Sequence, residues 1–149
     1  MPLSLLPGSV LFACSYNAIR SPMAEGLLKH LHGKRLYVDS VGVRANPLDP
    51  FVVAVMRELG IDVSRHHAKT FDDLADTSFD LVITLSPEAQ HKAVEMTRTM
   101  ACDVEYWPTF DPTLVEGSRS ATLDAYREVR DQLLKRLRRR FPIPPVPEL

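Results

Sequence analysis

An uninterrupted apolar run, Val10-Leu11-Phe12-Ala13, ends on Cys14 and opens at once into Ser15-Tyr16-Asn17-Ala18-Ile19-Arg20-Ser21-Pro22. A short aliphatic run of this kind fits a strand covered on both faces, as in a parallel sheet. The stretch that follows carries Met23, Leu27, Leu28 and Leu31 at helical spacing, and Gly33 stops it. Strand, tight loop and helix in that order hold the chain to an α/β architecture.

The alternation continues. Residues 36–41 and the nearly all-aliphatic 81–85 read as further strands, and 104–107 as a short fourth. Residues 50–59 predict a helix with Phe51, Val52, Val55, Met56 and Leu59 facing inward, ended by Gly60. Ser86-Pro87 opens a helix to about Thr99, and 120–141 predicts a long final one with Leu123, Tyr126, Val129, Leu133, Leu134 and Leu137 on its apolar side. Strands alternating with helices predict a single-domain parallel sheet with helices on both faces, binding its ligand beyond the carboxyl ends of the strands. A chain of 149 residues suits one such core. Residues 1–141 form the expected domain, and the proline-rich tail 142–149 cannot continue the last helix.

The loop after the first strand carries chemistry. Free N–H groups at a helix start, and successive amides in a tight turn, both bind phosphate well. Arg20 adds a planar fork that matches two phosphate oxygens. The same positive surroundings favour thiolate over thiol at Cys14, and Ser21 is placed to donate to that sulfur. Asn17 tolerates the left-handed backbone such a loop requires. Residues Ser15, Tyr16, Asn17, Ala18, Ile19, Arg20 and Ser21 are therefore the expected oxyanion cradle, with Cys14 as nucleophile.

Residues 10–25 resemble the signature of the low-molecular-weight protein tyrosine phosphatases and the related thioredoxin-coupled arsenate reductases. These share a C-x5-R-S loop followed by Pro, a variable residue, Ala and Glu, and Ser21-Pro22-Met23-Ala24-Glu25 reproduces it. The likeness continues through Val38-Asp39-Ser40, Gly60-Ile61-Asp62-Val63-Ser64, Asp80-Leu81-Val82-Ile83-Thr84-Leu85 and Asp111-Pro112. It implies a flavodoxin-like sheet of four parallel strands in the order 2-1-3-4. It also implies that Ser40 and His66 support Asn17 and hence the loop.

An ester also needs an acid to protonate its departing oxygen. Asp111 leaves the fourth strand at the same sheet edge as Cys14, with Trp107 and Phe110 near enough in sequence to desolvate it. An ordinary Asp-Pro turn is equally compatible with the residues alone; the resemblance chooses the acid. The implied reaction has two steps, attack of Cys14 on phosphorus and hydrolysis of the resulting phosphocysteine, with Asp111 first acid and then base.

Departures from the family narrow the reading. Ile19 stands where many phosphatases have a second cysteine, and Ser86 with the cysteine-free segment 87–100 stands where arsenate reductases carry a cysteine pair. The remaining Cys102 reads as a structural thiol, so reduction of arsenate by a thiol relay is not expected. Thr113 and Leu114 follow the Asp-Pro, and Asn46 occupies the second loop, at positions where tyrosine-specific members place aromatics; Tyr16 and Phe110 are the replacement walls.

Composition excludes several alternatives. A net charge of −1 offers no general attraction to nucleic acid or anionic membrane. Two distant cysteines speak for a reduced, cytoplasmic setting, and residues 1–8 lack the form of a signal peptide. His66-His67 is the one tempting metal pair, and adjacent side chains face apart, so neither metal nor cofactor is expected. The basic run Lys135-Arg136-Leu137-Arg138-Arg139-Arg140 compensates a helix C-terminus, docking of an acidic partner being the sharper alternative. The expectation is a metal-independent phosphatase acting on phosphotyrosine or a small phosphate ester. The alternatives are an oxyanion-binding regulatory module without turnover, or an arsenate reductase-like enzyme.

Overall fold

The computed structural model describes residues 6–75 and 78–143. Four strands, β1 (Ser9–Cys14), β2 (Tyr37–Gly42), β3 (Leu81–Thr84) and β4 (Asp103–Tyr106), run parallel in the order β2-β1-β3-β4. Helices α1 (Arg20–His32), α2 (Pro50–Arg57), α3 (Pro87–Met96) and α4 (Arg119–Arg140) cover the two faces. This is the single-domain α/β arrangement expected from the sequence.

β1 explains why its sequence is apolar without interruption. Val10, Phe12 and Cys14 face a core built with α1, α2 and α4, whereas Leu11 and Ala13 face a second core under α3. Alternate residues of one strand fill opposite layers, so no position is left for a polar side chain. Under α3 the contacts are Ala89 and Ala93, whose small side chains bring the helix close to the sheet.

Helix ends follow the sequence signals. Asp49, Ser86 and Ser118 accept from the amides of Phe51, Ala89 and Ala121 and so begin α2, α3 and α4. Pro50 and Pro87 occupy the first helical turns. Gly33, at φ +57°, closes α1. One expectation fails here: Leu59 is exposed rather than inward. α2 ends at Arg57, the chain turns through Gly60 at φ +75°, and Ile61, whose amide reaches Met56 O, fills the core instead.

α2 and α4 are joined by charge as well as packing. Arg127 and Arg130 converge on Glu58, and these hydrogen bonds, that of Arg127 foremost, hold its carboxyl at a pKa of about 2. At the other end of α4, His32 contacts Phe141 O. The tail beyond residue 143 lies outside the described residues. Among those described, no helix is long and apolar enough to cross a membrane.

β1 has β2 on one side and β3 on the other, so the direction of winding reverses at its carboxyl end. That end is the crevice at which open α/β sheets bind ligands. Cys14 stands there.

Candidate active site

The chain leaves β1 at Cys14, turns through residues 15–19 and enters α1 at Arg20. The loop's shape is set by where its carbonyls go. Cys14, Ser15, Tyr16 and Ala18 each accept from the segment after β2, through the amides of Val43, Arg44, Asn46 and Asp49, at 2.8–3.1 Å. In a planar trans peptide the N–H points opposite to the C=O. The amides of Tyr16, Asn17 and Ile19 are thereby turned to the inner side of the loop. Successive amides freed in this way are suited to an oxyanion.

Two local features make the turn feasible. Asn17 adopts φ +53°, as its residue type led one to expect. Gly42, at the end of β2, lies so close under the loop that a Cβ there would meet Arg44 O at 2.3 Å and Asn17 N at 2.6 Å. Backbone cannot yield as a flexible side chain can, so only glycine serves at this position. In the sequence the one signal of this constraint is a glycine at the end of a strand.

Cys14 is buried, with its Sγ 2.9 Å from Ser21 Oγ and 3.4 Å from the Ser21 amide. Asn17 Nδ2 donates to Ser21 Oγ at 2.8 Å and to Ser40 Oγ at 3.0 Å, while its Oδ1 accepts from the Lys69 amide. Ser40 in turn donates to Glu25, and Lys69 Nζ pairs with Asp39 at 2.6 Å. The Asn17 carbonyl can only accept, so His66 Nε2, 3.1 Å away, carries the proton. Asn17, Ser40 and His66 are thus brought together. Glu25, Asp39 and Lys69 complete the network; the first two lay inside recognised motifs without being assigned a role.

Burial pushes the His66 imidazole below its ordinary pKa of 6.5, outweighing the Asn17 carbonyl and the nearby charges of Glu25 and Asp39, with Lys69 acting in the same sense as burial. The native state therefore keeps His66 neutral where the unfolded chain takes up a proton. The consequence for stability has a definite sign: it is fully present above about pH 6.5 and declines as pH falls below it. Denaturant melts between pH 7.5 and 5 are expected to show this decline, and His66→Gln to remove that part of the slope.

A cavity of about 580 Å³ opens above the loop, lined by Cys14, Tyr16, Arg20, Asp49 and Asp111 among others. Ala18 and Ile19 also line it, whereas the side chains of Ser15, Asn17 and Ser21 turn into the protein. Ser15 Oγ meets Ser86 Oγ at 3.1 Å. Arg20 Nη1 donates to Thr109 O at 3.0 Å, which ties the loop after β4 to the cradle. Asp111 Oδ1 accepts from the amide and hydroxyl of Thr113 at 3.0 and 2.7 Å, fixing the turn at Pro112–Leu114. Deeper in the same wall Tyr126 donates to Asp49 Oδ2 at 2.7 Å. Burial first, then Asp49 and Asp111, push this phenol well above its ordinary pKa, so it remains a donor.

Phe110 departs from expectation. It is exposed and lines a separate groove with Val115, Ala125 and Val129, so it is no wall of this cavity. Asp111 is extended (φ −86°, ψ 108°), and consecutive side chains in extended backbone face opposite ways. With Asp111 lining the cavity, Phe110 faces the other way. Trp107 is buried beneath Arg136, 4.5 Å from its guanidinium carbon to the ring centroid, and does not line the cavity either. Among the described residues no group of three or more His, Cys, Asp or Glu is placed to hold a metal ion.

A buried thiol and a guanidinium at the two ends of a tight loop, set at the switch point of a parallel sheet, form a cysteine-loop site open to a cavity. The family of low molecular weight phosphotyrosine protein phosphatases matches residues 9–141, and the chain belongs to it. An arsenate reductase of Bacillus licheniformis is 36% identical over 131 residues, covering 88% of this chain and 93% of that protein. Among solved structures, the low molecular weight protein tyrosine phosphatase from T. tengcongensis superposes with a TM-score of 0.70 at 28% identity, over 85% of this chain and 92% of that one. An arginine phosphatase variant with a phosphorylated active-site serine gives 0.72 at 25% identity, over 87% and 91%. The family is one of enzymes, phosphatases or arsenate reductases.

Proposed function

We propose that this chain is a metal-independent phosphatase that hydrolyses phosphotyrosine or a similar aryl phosphate ester through a phosphocysteine, in a cytoplasmic setting. The observation that carries the reading is the placement of Cys14, Arg20 and Asp111 around one cavity, with the sulfur 2.9 Å from Ser21 Oγ. Cys14 attacks phosphorus in line as the P–O bond to the leaving group breaks. Asp111 gives that oxygen its proton. Arg20 and the inward amides hold the three equatorial oxygens as charge redistributes, supplying the positive charge that the reaction requires. Water, deprotonated by Asp111, then attacks the phosphocysteine and frees phosphate and the thiolate. Ser21 holds the thiolate, and Asn17, Ser40 and His66 hold the loop. The phosphorylated serine of the arginine phosphatase variant supports a covalent intermediate in this family.

Arsenate reduction is the second reading, favoured by the names of the relatives. An internal thiol relay lacks its parts. The chain has two cysteines, and Cys102 sits just ahead of β4, at the edge of the sheet opposite Cys14. Burial, reinforced by Asp103, also pushes the Cys102 thiol up and leaves it a poor nucleophile. An arsenate reductase built on this chain would take both reducing thiols beyond Cys14 from outside.

Assays with an aryl phosphate and with arsenate plus thiol discriminate these readings. Hydrolysis that persists in the presence of a chelator is expected; arsenite formation without phosphate release would reverse the assignment. Binding of phosphate with neither turnover would leave only an oxyanion-binding module.

A further inference from the structure

Tyr16 is the only aromatic side chain among the described residues that lines the cavity, and at 43% exposure its ring stands at the mouth. Its backbone is fixed, because its carbonyl accepts from the Asn46 amide at 3.0 Å. Its ring is steadied from elsewhere. The Arg44 guanidinium lies 5.9 Å from the ring centroid, within cation–π range, and the Arg44 amide donates to Ser15 O at 2.8 Å. Arg44 Nη1 donates to Glu88 Oε2 at 2.8 Å, in the first turn of α3. The residue that caps this turn, Ser86, also meets Ser15 Oγ. The start of α3 therefore grips the oxyanion loop at two points, one of them through the Tyr16 ring.

Resting on the phosphatase reading above, we infer that Tyr16 is the specificity wall for the aryl portion of the substrate. Arg44 and Glu88 are positioning residues that set its ring. Ile19, Pro47, Leu48 and Pro50 supply apolar lining to the same cavity and include no aromatic ring. A planar leaving group above the cradle stacks on Tyr16 and covers this apolar lining, whereas a short alkyl ester reaches neither. Arg44 and Glu88 are exposed, so their pair is worth little to global stability. Its effect falls on the ring.

The test compares binding of phenylphosphonate and methylphosphonate by calorimetry, with inorganic phosphate as a third probe. Neither phosphonate is turned over. The wild type is expected to prefer phenylphosphonate, Tyr16→Ala to lose about three- to tenfold of that preference, and Tyr16→Phe to keep it. Glu88→Gln and Arg44→Gln are expected to lose about two- to threefold, with melting temperatures near that of the wild type. An unchanged preference in Tyr16→Ala would overturn the wall, and an unchanged preference in both Glu88→Gln and Arg44→Gln would overturn the positioning. Because no hydrolysis is involved, a protein that shows the preference but splits no ester would strike the phosphatase reading alone.

Discussion

Cys14→Ser is expected to bring hydrolysis of an aryl phosphate down by at least about 10⁴-fold while leaving inorganic phosphate bound. The two effects separate because different atoms carry them. In the proposed reaction binding rests on the amides of Tyr16, Asn17 and Ile19 and on Arg20, none of which depends on sulfur. Attack in the proposed reaction rests on the Cys14 sulfur, which the Ser21 hydroxyl and amide contact. A serine hydroxyl in the same place keeps its proton, and no base among the contacts of Cys14 stands ready to take it. Stopped assays with nitrophenyl phosphate, paired with phosphate titration by calorimetry, measure both. Turnover by the serine variant at the wild-type rate would refute the nucleophile.

Asp111→Asn is expected to slow esters with poor leaving groups by about 10²–10³-fold and nitrophenyl phosphate far less. A nitrophenolate departs without a proton, whereas an alkoxide or ordinary phenoxide needs one as the P–O bond breaks. The amide cannot supply it. Asparagine retains the Oδ1 that accepts from Thr113, so the turn at Pro112–Leu114 survives and the loss reports on chemistry. Rates across a series of phenyl phosphates give the measurement. A uniform loss over all leaving groups would make Asp111 a structural cap, the bland reading its Asp-Pro context also allowed.

Most of the site was legible because it is local. Cys14, Asn17, Arg20 and Ser21 lie within eight consecutive residues, and the strand, loop and helix that present them are adjacent in sequence. Asn17 could be assigned its left-handed backbone from residue type alone, since few side chains tolerate it. Ser40, His66 and Asp111 needed the family resemblance, for nothing in their own neighbourhoods says what they face. Gly42 went unnoticed because the constraint on it comes from a turn that brings Arg44 O back and from the backbone of Tyr16 and Asn17, more than twenty residues earlier in the chain. Phe110 was misread because apolar character does not reveal on which side of an extended loop a ring will fall.

Periodicity and one contiguous motif thus determined the α/β class, the position of the thiol at a strand end and the left-handed turn of the loop at Asn17. These depend on interactions between near neighbours, which sequence order preserves. Only the tertiary structure decided that Glu25, Asp39 and Lys69 stand behind Asn17, that Phe110 faces away, and that Arg44 and Glu88 reach the Tyr16 ring. Each of those facts depends on how separate elements cross over the sheet, and the direction of a side chain across such a crossing is set by packing rather than by its neighbours in the chain.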